Sequence, residues 1–361
     1  MPLFVADRIV TGDGGLSASP AWALVEGGQI VAVGSGDAPA HADRHDLSGL
    51  LLAPAFCDLQ INGVGPVDFA TATRDEIVDA VDAVVDSGCS TLLPTICTAP
   101  LDAYDAMLER LAAARRARPE PIVGVHLEGP FLGGAPGAHP VDLVRPVDLD
   151  WLLSLCDRFP GLVGLVTLAP EADPGFAATR ALSERGIVVA LGHTTATYDT
   201  ARAAAGAGAR LATHCFNGMG PLHHREPGVV GAALDDRRLV PSFIADLVHV
   251  HPAVLRLLLT ARPDAVCVSD RVAGDATDAV RLVDGTLAGS VVTMAQAVRN
   301  LVGSDIPTGQ AVRTATGNPA RAMGLADRGR IAAGCRADLI GLDAATLSLQ
   351  WRWPGPYRPG S

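Results

Sequence analysis

From Leu50 to Ser269 the chain alternates short apolar runs with helix-like amphipathic runs. Strand-like runs fall at 51–61, 91–95, 122–127, 162–168, 187–191, 211–213, 241–245 and 265–269. Helical patterns fill most of the gaps, among them Arg74–Ser87, Leu101–Arg118, Asp150–Phe159 and Pro252–Thr260. Connections of that kind bring each strand back parallel to the one before it. Eight such strands over about 220 residues predict an α/β protein built on a (β/α)8, TIM-like barrel. An open doubly wound sheet is the alternative. It requires a glycine-rich phosphate turn after the first strand, and INGVG at 61–65 is a poor match to one.

The ends of the chain read differently. Residues 3–10, 21–26 and 29–34 form short strands with no helix between them, and Gly27-Gly28 marks a hairpin turn. After helices expected over Leu287–Val302 and Thr308–Ala315, the segment DRGRIAAGCRADLIGLD returns to strand character. The expectation is a small β-sandwich domain made by both chain ends, residues 1–50 and 328–361, around a barrel of residues 51–327. The Pro/Gly-rich tail, WRWPGPYRPGS, is expected to be loosely ordered.

A net charge of −11 argues against nucleic acid as a partner. No apolar run reaches the roughly 20 residues that span a membrane, and the N-terminus lacks a basic segment followed by an apolar core. Seven scattered cysteines without a CxxC pattern fit buried free thiols in a reducing compartment, the cytoplasm. Cys215, beside His214, is read as core because neighbouring strand residues face opposite sides. The chain contains no lysine at all. That excludes a Schiff-base mechanism, a lysine base and a carboxylated-lysine metal bridge.

In a barrel the chemistry sits where the strands end, and here nearly every strand ends on a polar residue. The first ends in Asp58, Gln60 and Asn62 on one face, and the third in His126 and Glu128 on one face. The fifth and sixth end in His193 and His214, which are 21 residues apart, the length of one strand–helix–strand unit. The seventh leads to Asp246, His249 and His251, and the eighth to Ser269-Asp270. A ring of unpaired polar groups is costly to bury as mere packing. Glu128, His193 and His214 form a two-histidine, one-carboxylate set suited to a catalytic divalent ion with an open position. Asp270 is then the natural general base and acid. His249 and His251 are open between ligand, substrate contact and loop residue, with their spacing favouring one inward and one outward. Arg225, just beyond the sixth strand, suits a phosphate or carboxylate, or a surface salt bridge. Asn217-Gly218 offers a side-chain amide and backbone N–H groups.

The motifs HLEGPF, LGHTTATYD, THCFNGM, REPGVVGAAL, IADLVHVHP, LAGSVVTMAQAVRNLV and NPARAMGL resemble the N-acetylglucosamine-6-phosphate deacetylases of the amidohydrolase superfamily, in the order that family shows them. The resemblance runs from about Leu50 to Asp343. It implies a metal on Glu128, His193 and His214, with Asp270 as acid and base and His139 polarising the acetyl carbonyl. It assigns Asn217, Gly218 and Arg225 to the substrate's phosphate and His249 to its sugar. It implies one divalent ion per chain, zinc first, with iron, manganese, cobalt or cadmium as alternatives. Gln60 and Asn62 stand where two-metal relatives carry histidines. It also implies a small-molecule sugar-phosphate substrate and a homodimer. Gly218 and Gly220 replace the family's usual Ala and Ser, the residues after Asp270 differ, the segment from Asp270 to Leu287 is short, and GGAPGAHP lacks basic residues. These departures bear on the sugar phosphate. Another N-acyl substrate, such as N-acetylgalactosamine 6-phosphate or an N-acyl amino acid, and a non-catalytic scaffold are the competing readings.

Overall fold

The structure is a computed structural model that describes residues 1–274, 277 and 279–353; the tail after Trp353 lies outside the described residues. The chain forms two compact units, one from Met1–Asp58, Val84–Thr91 and the segment starting at Thr293, the other from Leu59–Ala83 and Leu92–Val292.

The first unit contains a six-stranded sheet in the order Leu349–Trp353, Leu339–Asp343, Arg44–Pro54, Leu3–Ile9, Ala21–Glu26, Gln29–Ser35. Both chain ends therefore contribute, and only the central pair, Leu3–Ile9 with Arg44–Pro54, runs parallel. Ala21–Glu26 buries every second residue, the period-2 pattern of a sheet with one covered face. Phe4, Ile9, Val25, Ile30, Leu52 and Leu339 pack into its core.

The barrel strands are Phe56–Ile61, Cys89–Ile96, Val125–Glu128, Val163–Leu168, Val188–Leu191, Leu211–Ala212, Val240–Ile244 and Val266–Val268, neighbours in sequence order. The fourth, fifth, sixth, seventh and eighth pair in parallel register. Past the eighth strand, Asp270 N–H donates to the Gln60 carbonyl and Asn62 N–H to that of Arg271, which joins the last strand to the first. The (β/α)8 barrel predicted from the alternation is the fold.

Two segments differ from expectation. The run 51–61 is two strands, because Arg44–Pro54 ends in a proline that cannot carry a ladder onward and Phe56–Ile61 begins afresh. The helix expected from Leu287 starts at Met294, where the Thr293 side chain accepts from Gln296 N–H in a Thr-x-x-Gln cap. Leu287–Ser290 is instead a strand paired with Ala279–Arg281.

The connection that carries the two histidine strands is short and well terminated. Helix Tyr198–Ala207 starts under a Thr197 cap and stops at Gly208, whose φ of +126° suits glycine. Ala201, Ala204 and Ala205 form its buried face, so small side chains let the helix lie close to its neighbours. Among the described residues no helix is long and apolar enough to cross a membrane.

Candidate active site

Three strand ends share an uncommon backbone. His193, His214 and Asp270 have φ of +49°, +29° and +46°. Residues with a Cβ rarely enter this left-handed region, and when they do the cost is of order 1–3 kcal/mol each. Here the turn in the backbone comes where the strand has ended and the side chain must face the barrel mouth. Eight non-glycine residues among those described have positive φ, and three of them belong to the four singled out for metal and proton chemistry.

The side chains converge. Glu128 Oε1 lies 3.2 Å from His193 Nε2 and 2.9 Å from His214 Nε2, and the two ring nitrogens are 3.2 Å apart. All three residues are buried. Each histidine is oriented through its other nitrogen: Nδ1 of His193 faces the Ala135 carbonyl at 3.3 Å, and Nδ1 of His214 faces that of Asn217 at 3.2 Å. A carbonyl only accepts, so each Nδ1 carries a proton, and each Nε2 either turns a lone pair to a cation or, protonated, donates to Glu128. Two lone pairs and a carboxylate oxygen at this separation repel unless a proton or cation stands among them. Burial alone would raise Glu128, but hydrogen bonds from the two histidines outweigh it and hold the carboxyl well below its usual range. Burial would lower His214, but Glu128's hydrogen bond and charge push it up to about 9. The set attracts positive charge and has the donor chemistry of a divalent ion site.

Asp270 stands beside this cluster. Gln60 Nε2 donates to both Glu128 Oε1 (2.9 Å) and Asp270 Oδ1 (3.1 Å), and Asn62 Nδ2 donates to Asp270 Oδ1 at 2.9 Å. The two amides at the end of the first strand thus orient both carboxylates. Burial, followed by the charge of Glu128, pushes Asp270 up to about 7, a range where it can take and return a proton.

The cavity above these groups has a volume of about 410 Å³ and is lined by Asn62, Cys97, Glu128, His139, His193, His214, Phe216, Asn217, Gly218, His249 and Asp270, among others. Part of its wall is the hairpin after Asp270, through Leu282 and Thr286–Gly289. His139 is buried, and Thr98 holds its Nδ1 through the hydroxyl (2.8 Å) and the backbone N–H (3.3 Å). Burial, then the neighbouring His193, lowers His139 to about 3, so it stays neutral. His249 is the inward member of its pair: its Nδ1 lies 2.6 Å from Asp246 Oδ2, and its ring reaches the cavity wall. His251 faces outward and caps helix Pro252–Ala261.

Gly218 requires glycine on two counts. Its φ is +57°, and a Cβ there would stand 2.8 Å from His193 Nδ1. Arg225 is exposed and lies off the cavity wall, with its guanidinium 2.8 Å from His224 Nε2. The structure therefore brings together Glu128, His139, His193, His214, Asn217, Gly218, His249 and Asp270, and leaves Arg225 apart.

Sequence reasoning missed Cys97. It considered only Cys215, which it read as core, whereas Cys97 lines the cavity, its Sγ 3.6 Å from Glu128 Oε2 and 3.2 Å from Asn62 Oδ1. The signal was present: Thr95 and Cys97 end the second strand at i, i+2, the same spacing that set His126 and Glu128 on one face.

Comparison with known proteins adds a lineage to this geometry. The sequence model of the amidohydrolase family matches residues 51–350. The N-acetylgalactosamine-6-phosphate deacetylase of Escherichia coli O157:H7 is 36% identical over 329 residues, 84% of this chain and 86% of that protein. The N-acetylglucosamine-6-phosphate deacetylase of Bos taurus is 34% identical over 334 residues, 83% and 81% of the two chains. Among solved structures, N-acetyl-D-glucosamine-6-phosphate deacetylase from Mycobacterium smegmatis superposes with a TM-score of 0.90 at 37% identity, covering 98% of each chain. Molinate hydrolase, at 14% identity and a TM-score of 0.65 over 97% of this chain and 92% of that one, shares the fold alone.

Proposed function

The chain belongs to the amidohydrolase family, among the N-acetylglucosamine-6-phosphate deacetylases, and from that premise we propose that it hydrolyses the N-acetyl amide of N-acetylglucosamine 6-phosphate to acetate and glucosamine 6-phosphate. The observation that carries this reading is the meeting of Glu128, His193 and His214 with Asp270 in one cavity.

Glu128, His193 and His214 would hold a divalent ion, which would supply acidity to a bound water and polarisation to the amide carbonyl. Asp270 takes a proton from the attacking water and delivers it to the amine as the C–N bond breaks, so it ends the cycle as it began. Gln60 and Asn62 keep its carboxylate aimed during both transfers. His139 donates from Nε2 to the carbonyl oxygen, where negative charge develops. This fits a neutral ring whose Nδ1 accepts from the Thr98 backbone N–H, which leaves the proton on Nε2. His249, aimed by Asp246, contacts the sugar. Asn217 and Gly218 face the substrate from the wall, and Arg225 joins them in receiving the phosphate, reaching it from the loop outside.

Zinc as the ion fits the nitrogen and oxygen donor set. Seven cysteines that form no disulfide support a cytoplasmic setting.

A second substrate reading has its own support, since a relative acting on N-acetylgalactosamine 6-phosphate is as similar to this chain as those acting on the gluco epimer. The experiment is acetate release by the metal-loaded protein from both sugar phosphates and from unphosphorylated N-acetylglucosamine. Release from the gluco phosphate, and much less from the free sugar, is expected. Faster release from the galacto phosphate would move the assignment to that epimer, and no release from any of the three would sink it.

A further inference from the structure

We propose that Glu171 is a positioning residue for the site: its carboxylate fastens the loop after the third barrel strand to the end of the fifth, and so holds the Ala135 carbonyl against His193. The inference rests on the reading of Glu128, His193 and His214 as a divalent-ion set, and not on which amide is cleaved.

Glu171 follows the fourth barrel strand, in the turn Pro170–Ala172, and is not one of the residues that line the cavity. The segments on either side reach it. Oε1 accepts from Gly134 N–H at 3.2 Å and from Thr195 N–H at 2.9 Å, and Oε2 accepts from the Thr194 hydroxyl. Beside these contacts Gly133 N–H donates to the His193 carbonyl at 2.8 Å. One carboxylate thus closes a seam between residues 133–135 and 193–195. The fit is tight enough that a Cβ on Gly133 would run into the Glu171 carboxylate.

Each half of the seam carries a part of the site. Thr194 directly follows His193, whose φ of +49° must be held by its surroundings. Thr194 N–H also donates to the Gly218 carbonyl at 3.0 Å, which ties the seam to the cavity wall beyond the sixth strand. Gly134 directly precedes Ala135, whose carbonyl accepts from His193 Nδ1 at 3.3 Å. That bond fixes the ring. With Nδ1 donating to a carbonyl, Nε2 is the nitrogen left to offer a lone pair to a cation. Without Glu171, the run Gly-Gly-Ala-Pro-Gly at 133–137 loses its anchor next to Ala135. The ring then loses its fixed acceptor, and a proton on Nε2 bars that atom from ligation.

A surface staple that only adds stability is the simpler role. Glu171, Gly134 and Thr195 are all exposed, so water takes over the hydrogen bonds when the carboxylate is removed, and little stability is lost. Water does not hold the Ala135 carbonyl in place beside His193.

The test compares the full-length wild type with Glu171→Ala and Glu171→Gln. Glutamine keeps an oxygen for both N–H groups, and its amide donates to the Thr194 hydroxyl, so it should behave as the wild type. The zinc Kd, measured by competition with a chromophoric chelator, should rise about 10-fold or more in Glu171→Ala, the lower end of what the loss of a ligand's hydrogen-bond partner costs. The melting temperature of the metal-free variant should stay near that of the metal-free wild type. Zinc held as tightly by Glu171→Ala as by the wild type would overturn the proposal and leave the deacetylase reading intact. So would an equal loss in Glu171→Gln, or a loss in Glu171→Ala matched by a lower metal-free melting temperature, which would mark a structural strut. A wild type that binds no zinc is a different failure: it removes the metal reading itself, and this inference with it.

Discussion

His126 and Glu128 lie two residues apart on one strand and point to the same face of the barrel, yet they belong to different kinds of interior. His126 sits one level down, fully buried, with Nε2 2.8 Å from the Thr167 hydroxyl and Nδ1 3.4 Å from that of Thr95. Thr167 passes the chain on to Thr213 at 2.7 Å. These partners are neutral, and burial lowers His126 to about 4. One level up, His214 is just as buried, and the carboxylate of Glu128 pushes it the opposite way, to about 9. Burial alone makes a histidine a neutral packing residue. Burial against a carboxylate makes it part of a cation trap. The rise between the levels is about 6–7 Å, so the boundary between packed core and chemistry is a single step along the strand.

The largest effect should come from erasing the charge that distinguishes the upper level. Glu128→Gln keeps the shape but removes the carboxylate between the two histidines. It is expected to lower bound divalent ion to background by elemental analysis and to reduce acetate release to that of chelated wild type. Added metal should raise the melting temperature of the wild type, by about 2.7 kcal/mol of stability at a hundredfold excess over Kd, and should leave the variant unmoved. If the variant binds metal as tightly as the wild type, the ion is held elsewhere.

A smaller loss should follow at Asp270, which shares the upper level and its two amide donors but is placed here as a proton carrier rather than a ligand. Asp270→Asn should reduce kcat by about 10²–10⁴-fold, with the metal content unchanged. The division of roles is what the pair of variants tests. Should Asp270→Asn lose the metal as completely as Glu128→Gln, Asp270 is a ligand too and the comparison within the upper level fails.

The lower and upper levels were not equally legible in the sequence. The barrel was, because alternating strand and helix patterns leave few architectures. So was the clustering of Glu128, His193, His214 and Asp270, since strand ends in a barrel meet at one mouth. What pattern reading could not supply was lateral: which residues from different strands arrive at the same height. Cys97 was passed over because a cysteine without a nearby partner in sequence looks like core, and its neighbours Asn62, Glu128 and His139 come from three other segments. The same gap holds for Arg225, whose place beyond the sixth strand does not tell that its exposed guanidinium meets His224. The strand at Leu287–Ser290 was read as helix because the apolar run continues into Met294, and only the Thr293 cap marks the break.

The smallest effect on turnover should come from His126, and it is the one that sharpens the comparison most. His126→Leu fills much of the same space but leaves the Thr95 and Thr167 hydroxyls short of a partner, which costs about 1–3 kcal/mol. The melting temperature should fall, while the metal content and the kcat of the surviving folded protein stay near wild type. That result would mark the lower level as packing, whatever its histidine content. A loss of metal without a loss of stability would mean that the hydroxyl chain beneath the site orients Glu128 through the strand, and that the two levels act as one.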